Sequence, residues 1–83
     1  MRKYAVLEEK IDDICKVMIY ESPDETFVFL YNTIQDTSCF ADMCFEVLEE
    51  AEEFCGKLGI NNEGWLFIDD PLDGCQDDII NSK

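Results

Sequence analysis

The sequence predicts an α+β domain, with an antiparallel sheet of four or five strands and a single helix packed on one face. Short apolar segments of strand length alternate with polar turns, and only one segment has helical spacing. The 83 residues have room for one domain, 1–83, with the sheet and helix in 1–68 and an acidic tail in 69–83. The 47% of hydrophobic residues argues against disorder.

The first half of the chain contains three predicted strands. Residues 3–8 read as a strand that places Tyr4 and Val6 on one face and Ala5 and Leu7 on the other, and a polar turn over 9–13 follows. Residues 14–21 are rich in apolar and β-branched side chains, and residues 26–31 are apolar on both faces, as in a central strand. The sequence SPDE at 22–25 is a strong turn signal, because proline fixes φ while serine and aspartate favour a bend. Turns this short favour an antiparallel meander.

The second half predicts a fourth strand, the helix and a last short strand. Residues 39–45 would place Cys39, Ala41, Met43 and Phe45 on one face of a strand and Phe40, Asp42 and Cys44 on the other, and residues 64–68 are the last short strand. The helix is predicted over 47–58, followed by Gly59 in the position where glycine often ends a helix. One helix face is apolar through spacings of three and four: Leu48, Ala51, Cys55 and Leu58.

The net charge restricts the partners that this chain can bind. Twenty acidic and 6 basic residues give a net charge of −14. Phosphate backbones and anionic membrane surfaces repel such a chain, so we expect no direct binding to nucleic acid or membrane. The N-terminal segment lacks the apolar core of a secretory signal, and we expect a soluble, cytoplasmic protein. Basic protein surfaces and cations are the expected partners.

Enzyme chemistry is not expected from this residue set. The sequence has no histidine, so it has no ordinary catalytic triad and no histidine base. A calcium loop aligned on Gly74 would place Pro71 and Ile80 where liganding side chains are needed. We therefore expect neither catalysis nor a dedicated calcium site.

Zinc is the predicted cofactor, because a domain with so small a core gains stability from a metal ion that cross-links its segments. The five cysteines are expected to be free or metal-bound in a reducing compartment. The predicted zinc ligands are Cys39, Cys55, Cys75 and Asp77. Cys44 and Asp78 are alternatives for the fourth ligand. The other interpretation treats Cys15, Cys44 and Cys55 as small buried hydrophobic residues.

Two acidic segments are the predicted partner-binding surface. They comprise Glu49, Glu50, Glu52 and Glu53 on the helix and Asp69, Asp70, Asp73 and Asp78 in the tail. Glutamates three and four residues apart repel one another on a helix unless something opposes them. Between Val17 and Ser82 the only basic residue is Lys57, so we expect these glutamates to lack internal partners. An external basic partner is favoured, although a solvated helix face is the alternative.

Four segments carry a resemblance to known proteins: KYAVLEE, FVFLYNTIQDTSCF, FEVLEEAEEFC and DDPLDGCQDD. In this order they resemble a group of small acidic bacterial and phage proteins. The chain also looks like the phage-encoded anti-CRISPR proteins that inhibit Cas9, at least one of which contains zinc. The proteins that this chain resembles share cysteines at the positions of Cys39, Cys55 and Cys75, which the resemblance implies are zinc ligands. Their Cys-Gln pair is followed by histidine, where this chain has Asp77, so the fourth ligand departs from the pattern.

These observations lead to one functional hypothesis and two alternatives. The hypothesis is an inhibitor from a phage or mobile element that docks on a basic nucleic-acid-binding protein, with Cas9 as the expected target. A channel lined with lysine and arginine would attract a folded polyanion. The alternatives are an immunity protein that neutralises a toxin nuclease, and a metal-stabilised housekeeping domain.

Overall fold

The computed structural model describes residues 1–60, 63–71, 73–74 and 76–80. Its elements are β1 (Arg2–Ile11), β2 (Ile14–Glu21), β3 (Thr26–Tyr31), β4 (Ala41–Phe45), α1 (Leu48–Gly56) and β5 (Leu66–Ile68). The five strands form one antiparallel sheet in the spatial order β4-β3-β2-β1-β5. The predicted α+β fold, with one helix on one face of an antiparallel sheet, is confirmed.

The strands differ from the predictions mainly in β1 and β4. β2 and β3 have the predicted bounds, but β1 extends to Ile11, so the turn predicted over 9–13 is wrong for its first three residues. Asp12 and Asp13 alone make the turn, with φ of 48° and 69°. Positive φ at both central residues suits a two-residue hairpin, because its twist matches that of the strands. β4 begins at Ala41 rather than at 39.

The turn between β2 and β3 forms where SPDE predicts it. The Ser22 amide donates to the Glu25 carbonyl over 3.0 Å. The Ser22 hydroxyl donates to the same carbonyl over 2.7 Å and accepts from the Glu25 amide over 3.2 Å. A side-chain oxygen thus completes a tight bend, as serine often does in turns.

The helix α1 is shorter than the predicted 47–58, but its apolar face is the predicted one. Val47 is its extended N-cap and Lys57 its C-cap. Ala51 and Cys55 are buried against the sheet, and Gly59 has the left-handed φ of 87° that glycine adopts most easily. No helix in the described ranges is long and apolar enough to cross a membrane.

The core between helix and sheet is formed by alternate residues of the strands. Its buried members are Leu7, Ile14, Val17, Ile19, Val28, Leu30, Ala51 and Cys55. Partly buried side chains such as Leu48, Phe54 and Leu58 pack around them. The period of two in β2 and β3 and the helical spacing of α1 meet here, because each element buries one side.

The opposite face of the sheet is covered as well, by the chain's own C-terminal segment and the loop before β4. Met18, Phe29 and Tyr31 form a buried cluster there, and Cys39 and Ile80 pack against it. Both faces of β3 are thus covered, one by α1 and the other by the C-terminal segment, which explains why its side chains are apolar on both faces. Lys16 is buried beside this cluster, with its Nζ 4.4 Å from the Tyr31 ring centroid and 2.9 Å from the Gln35 carbonyl.

Arg2 anchors the C-terminal segment to this face. Its side chain is buried, and the guanidinium donates to the carbonyls of Asp69, Asp77 and Ile79 over 2.7, 2.9 and 2.7 Å. The Tyr31 hydroxyl donates to the carbonyl of Asp78. A guanidinium offers five N–H donors in a rigid plane, which suits three acceptors from one folded-back segment.

Two carboxylates join the segment to the loop before β4. Asp78 Oδ2 accepts from the Cys39 amide over 2.8 Å, and Asp36 Oδ1 accepts from the Ile80 amide over 2.6 Å. The loop and the C-terminal segment therefore hold each other. Cys39 belongs to this loop rather than to β4, because its amide donates to Asp78 in the C-terminal segment.

Replacing Arg2 with methionine should cost about 2–4 kcal/mol of unfolding free energy, because three main-chain carbonyls lose hydrogen bonds from a buried, charged donor. Methionine keeps most of the apolar stem. Urea denaturation measures the change, and amide hydrogen exchange at Ile80 reports the release of the segment. Lys10→Met is the matched control, since Lys10 is an exposed cation of the same strand. Equal stability losses in the two variants would contradict the anchoring role of Arg2.

Candidate protein-binding surface

An acidic cleft lies where the β2–β3 turn meets the start of α1. Its volume is about 270 Å³. Five carboxylate side chains line it: Glu21, Asp24, Glu25, Glu46 and Glu49. The ion pairs among the described residues join Met1 to Asp70, Lys3 to Glu52 and Lys10 to Asp13, so none of them involves a carboxylate of the cleft.

The register of β3 and β4 creates this cleft. Thr26 lies directly opposite Phe45, so Glu25 and Glu46 extend side by side from the ends of the two strands. Glu21 lies opposite Thr26 on the other side. The sequence interpretation treated 22–25 only as a turn and missed these carboxylates. The sequence does not show that the segment before β3 pairs with the segment after β4, some twenty positions further along the chain.

The four helix glutamates divide into two groups. Glu49, Glu50 and Glu53 are exposed, as expected of a partner-binding surface. Glu52 instead accepts a hydrogen bond from Lys3 Nζ, so the expectation that it lacks an internal partner is wrong. The reason is tertiary: the partner comes from β1, far away in sequence.

Lys3 is held in a largely buried site by aromatic rings as well as by Glu52. Its side chain is only 6% exposed. Its Nζ lies 4.7 Å from the Trp65 ring centroid and 5.6 Å from that of Phe67. The negative faces of the rings add to the attraction of the carboxylate. Glu52 is therefore a structural residue in this fold.

The tail aspartates divide in the same way. Asp69 and Asp73 are exposed. Asp70 Oδ1 lies 2.8 Å from the Met1 ammonium, and Asp78 accepts from the Cys39 amide. Asp77 is exposed, and its main-chain carbonyl accepts from Arg2. Among the eight predicted contact residues, those left open to a partner are Glu49, Glu50, Glu53, Asp69 and Asp73.

The structure does not bring Cys39 and Cys55 together. Cys55 is fully buried in the core between helix and sheet, whereas Cys39 packs against the cluster on the opposite face. The sequence placed both on one side, on the assumption that the fourth strand begins at 39. Because the sheet separates the two thiols, they do not fit the ligand set of a single metal ion.

The remaining predicted ligands do not change this picture. Within the described ranges, no three cysteine, aspartate or glutamate side chains are grouped so as to hold a metal. Cys75 lies outside the described residues. Zinc binding thus stays a prediction, and elemental analysis of protein purified without added metal tests it.

Cys39, Cys44 and Cys55, three of the four cysteines that the structure describes, differ in their surroundings. Burial, helped by hydrogen bonding to Asp78, raises the pKa of the Cys39 thiol from 9.0 to about 12. Burial also raises the pKa of Cys55 to about 12, with Lys3 opposing the rise. Cys44 is exposed on β4. Proton loss is thus disfavoured at Cys39 and Cys55, which makes both poor nucleophiles near neutral pH.

Apolar side chains lie on the surface beside the acidic cleft. Phe40, Met43 and Val47 are 49%, 37% and 47% exposed. They precede, occupy and follow β4, which is an outer strand of the sheet. Val47 itself lines the cleft, and β4 ends next to Glu46, so charged and apolar side chains are neighbours here, as is common in protein-binding surfaces.

Comparison with known proteins gives no match for this chain among family models, curated proteins or solved structures.

The buried thiols predict a loss of stability at alkaline pH. Because the pKa values of Cys39 and Cys55 are about 12 in the folded state, against 9.0 ordinarily, folding holds their protons more tightly. Their contribution is fully present below about pH 9 and is lost as the pH rises towards 12. Burial also raises the pKa of Tyr31, which acts in the same direction.

Urea unfolding at about pH 7 and about pH 10 measures this loss. The Cys39→Ala/Cys55→Ala variant should be less stable at neutral pH but should lose less stability between the two pH values. Some loss of stability at the higher pH should remain in that variant, because the Tyr31 phenol still has a raised pKa. An equal decline in wild type and variant would show that these thiols are not the cause.

Proposed function

We propose that this protein is an interaction protein that docks its acidic surface on a basic, nucleic-acid-binding protein. The observation that carries the proposal is the cleft of five carboxylates without an ion-pair partner among the described residues. Carboxylates held close together repel one another, and that repulsion falls when a cation binds between them. Lysine and arginine side chains of a partner supply such cations.

The distribution of the charge supports a protein partner over dispersed counterions. Glu25 directly precedes β3, Glu46 directly follows β4, and Glu49 lies in the first turn of α1, so the sheet and the helix fix their relative positions. A rigid array of this kind favours a matching array on the partner and speeds association by long-range attraction. The exposed Met43 and Val47 add apolar contact area next to it.

Cas9 inhibition is the particular activity that we propose. The resemblance to phage-encoded anti-CRISPR proteins supports this partner, and so does the chemistry of the target. Cas9 holds its guide–target duplex in a positively charged channel, and a folded polyanion docked there would exclude nucleic acid. The protein acts in this proposal by binding alone, without catalysis and without contacting nucleic acid itself.

A direct binding experiment tests the proposal. The protein is immobilised and exposed to Cas9 without guide, Cas9 with guide, a basic toxin nuclease, and lysozyme as a basic control. Binding to Cas9 that falls steeply with salt and competes with target DNA supports the proposal. Selective binding to the toxin nuclease would replace it with the immunity-protein function, and binding to none of them would contradict both.

Neutralising the cleft should slow association with the basic partner. In Glu25→Gln/Glu46→Gln the association rate should fall several-fold and the salt dependence should become shallower, because electrostatic steering is reduced. Surface plasmon resonance at two ionic strengths measures both. Glu8→Gln/Glu9→Gln is the matched control, since it removes the same charge from exposed positions at the opposite end of the sheet.

Equal effects of the two double variants would show that only net charge matters. A third variant, Glu49→Gln/Glu50→Gln/Glu53→Gln, measures the share of the helix face. Glu52 is left unchanged because it holds Lys3. A partner that binds all three variants like the wild type would exclude these surfaces as the contact.

A further inference from the structure

We infer that the outer edge of β4 is a docking edge that an extended, lysine- or arginine-bearing segment of the partner joins as an additional strand. This inference rests on the proposed function for its partner and adds the mode of contact. β4 ends the sheet on one side, and β3 is its only strand partner in the described ranges. An outer strand with free main-chain groups is a template for strand addition.

The hydrogen-bond pattern identifies which main-chain groups of β4 are free. The Ser22 amide donates to the Glu25 carbonyl, so this pair is hydrogen-bonded and the next pair, Glu21 with Thr26, is not. Alternation along β3 then turns the main-chain groups of Thr26, Val28 and Leu30 towards β4. The donation from the Phe40 amide to the Leu30 carbonyl, over 2.9 Å, agrees with this direction.

Alternation along β4 follows from the same register. Ala41, Met43 and Phe45 lie opposite Leu30, Val28 and Thr26, so these three residues of β4 use their main-chain groups on β3. Asp42 and Cys44 consequently direct their amides and carbonyls away from the sheet. An incoming strand would find two donors and two acceptors at this edge.

The side chains along the edge specify the chemistry of the incoming segment. Met43 and the neighbouring Phe40 and Val47 offer exposed apolar area along the strand. The cleft carboxylates Glu25 and Glu46 lie at its C-terminal end. An extended segment with apolar residues and a lysine or arginine at the end that reaches the cleft fits both features.

Charge also argues against a second copy of this chain as the occupant. Pairing two β4 strands would bring two chains of net charge −14 together, each with Asp42 at the contact. Like charges at a contact disfavour association. The other outer strand, β5, has only three residues and offers a shorter template.

Peptide binding tests the inference directly. The probe is an acetylated, amidated peptide of alternating valine and threonine that ends in lysines. One comparison peptide ends in glutamates, and another keeps the lysines but carries N-methyl groups on alternate amides. The lysine peptide should bind, and both comparison peptides should bind at least about tenfold more weakly, because they lose charge attraction or main-chain hydrogen bonds.

Hydrogen exchange in the wild type locates the contact without any substitution. The amides of Asp42 and Cys44 should exchange rapidly in the free protein and slow down by about tenfold or more with bound peptide. Cys44→Pro removes an outward N–H without removing a bond to β3, and it should weaken peptide binding by about tenfold. Cys44→Ser keeps that N–H and should bind within about twofold of wild type.

The outcomes separate this inference from the proposed function. Peptide binding with protection of the two amides, but no binding to Cas9 or a toxin nuclease, supports the docking edge and contradicts the proposed function. Binding of Cas9 by the wild type and Cys44→Pro alike, without protection of the two amides, overturns the docking edge and leaves the proposed function standing. Peptide binding undiminished by N-methylation, or self-association of the free protein through β4, also overturns it.

Discussion

The buried guanidinium of Arg2 is the interaction on which the rest of this structure depends. It holds the C-terminal segment against the face of the sheet that α1 does not cover, through three main-chain carbonyls. The segment in turn holds the loop before β4 through Asp78 and the Cys39 amide. Arg2, at the start of β1, is thereby linked through the C-terminal segment to the loop that precedes β4. An acidic segment needs such an anchor, because its own charges oppose folding back on an acidic domain.

The few cations of this chain are used mostly inside the fold. Arg2, Lys3 and Lys16 are all buried, where they bind carbonyls, a carboxylate and aromatic rings. Every buried side-chain nitrogen and oxygen among the described residues has a hydrogen-bond partner. The cations therefore stabilise the core and do little to neutralise the surface. This division leaves a strongly negative exterior, in which five carboxylates line the cleft between the β2–β3 turn and α1, beside an open strand edge.

The local sequence pattern was sufficient to predict those parts of the fold that depend only on neighbouring residues. The bounds of β2 and β3, the SPDE turn and the apolar face of α1 follow from alternation, proline chemistry and helical spacing. Pattern failed at β1 and at Cys39. The charged residues Glu9 and Lys10 resemble the start of a turn, yet they continue β1 to Ile11, because Asp12 and Asp13 complete the hairpin alone. Cys39 alternates correctly for a strand but lies in a loop, since its amide binds Asp78.

The sequence by itself determined the fold class, the single helix, the position of β3 inside the sheet and the strongly negative charge, because each depends on composition or on spacing within a short segment. Only the tertiary structure decided which charges stay free. Glu52 and Asp70 are paired by residues of the first strand and the N-terminus, whereas Glu25 and Glu46 become neighbours through the pairing of Thr26 with Phe45. It also placed Cys39 and Cys55 on opposite faces of the sheet. Such pairings join segments far apart in sequence. They are stabilised by the packing of the whole core, to which every segment contributes, so the pattern within one segment does not predict them.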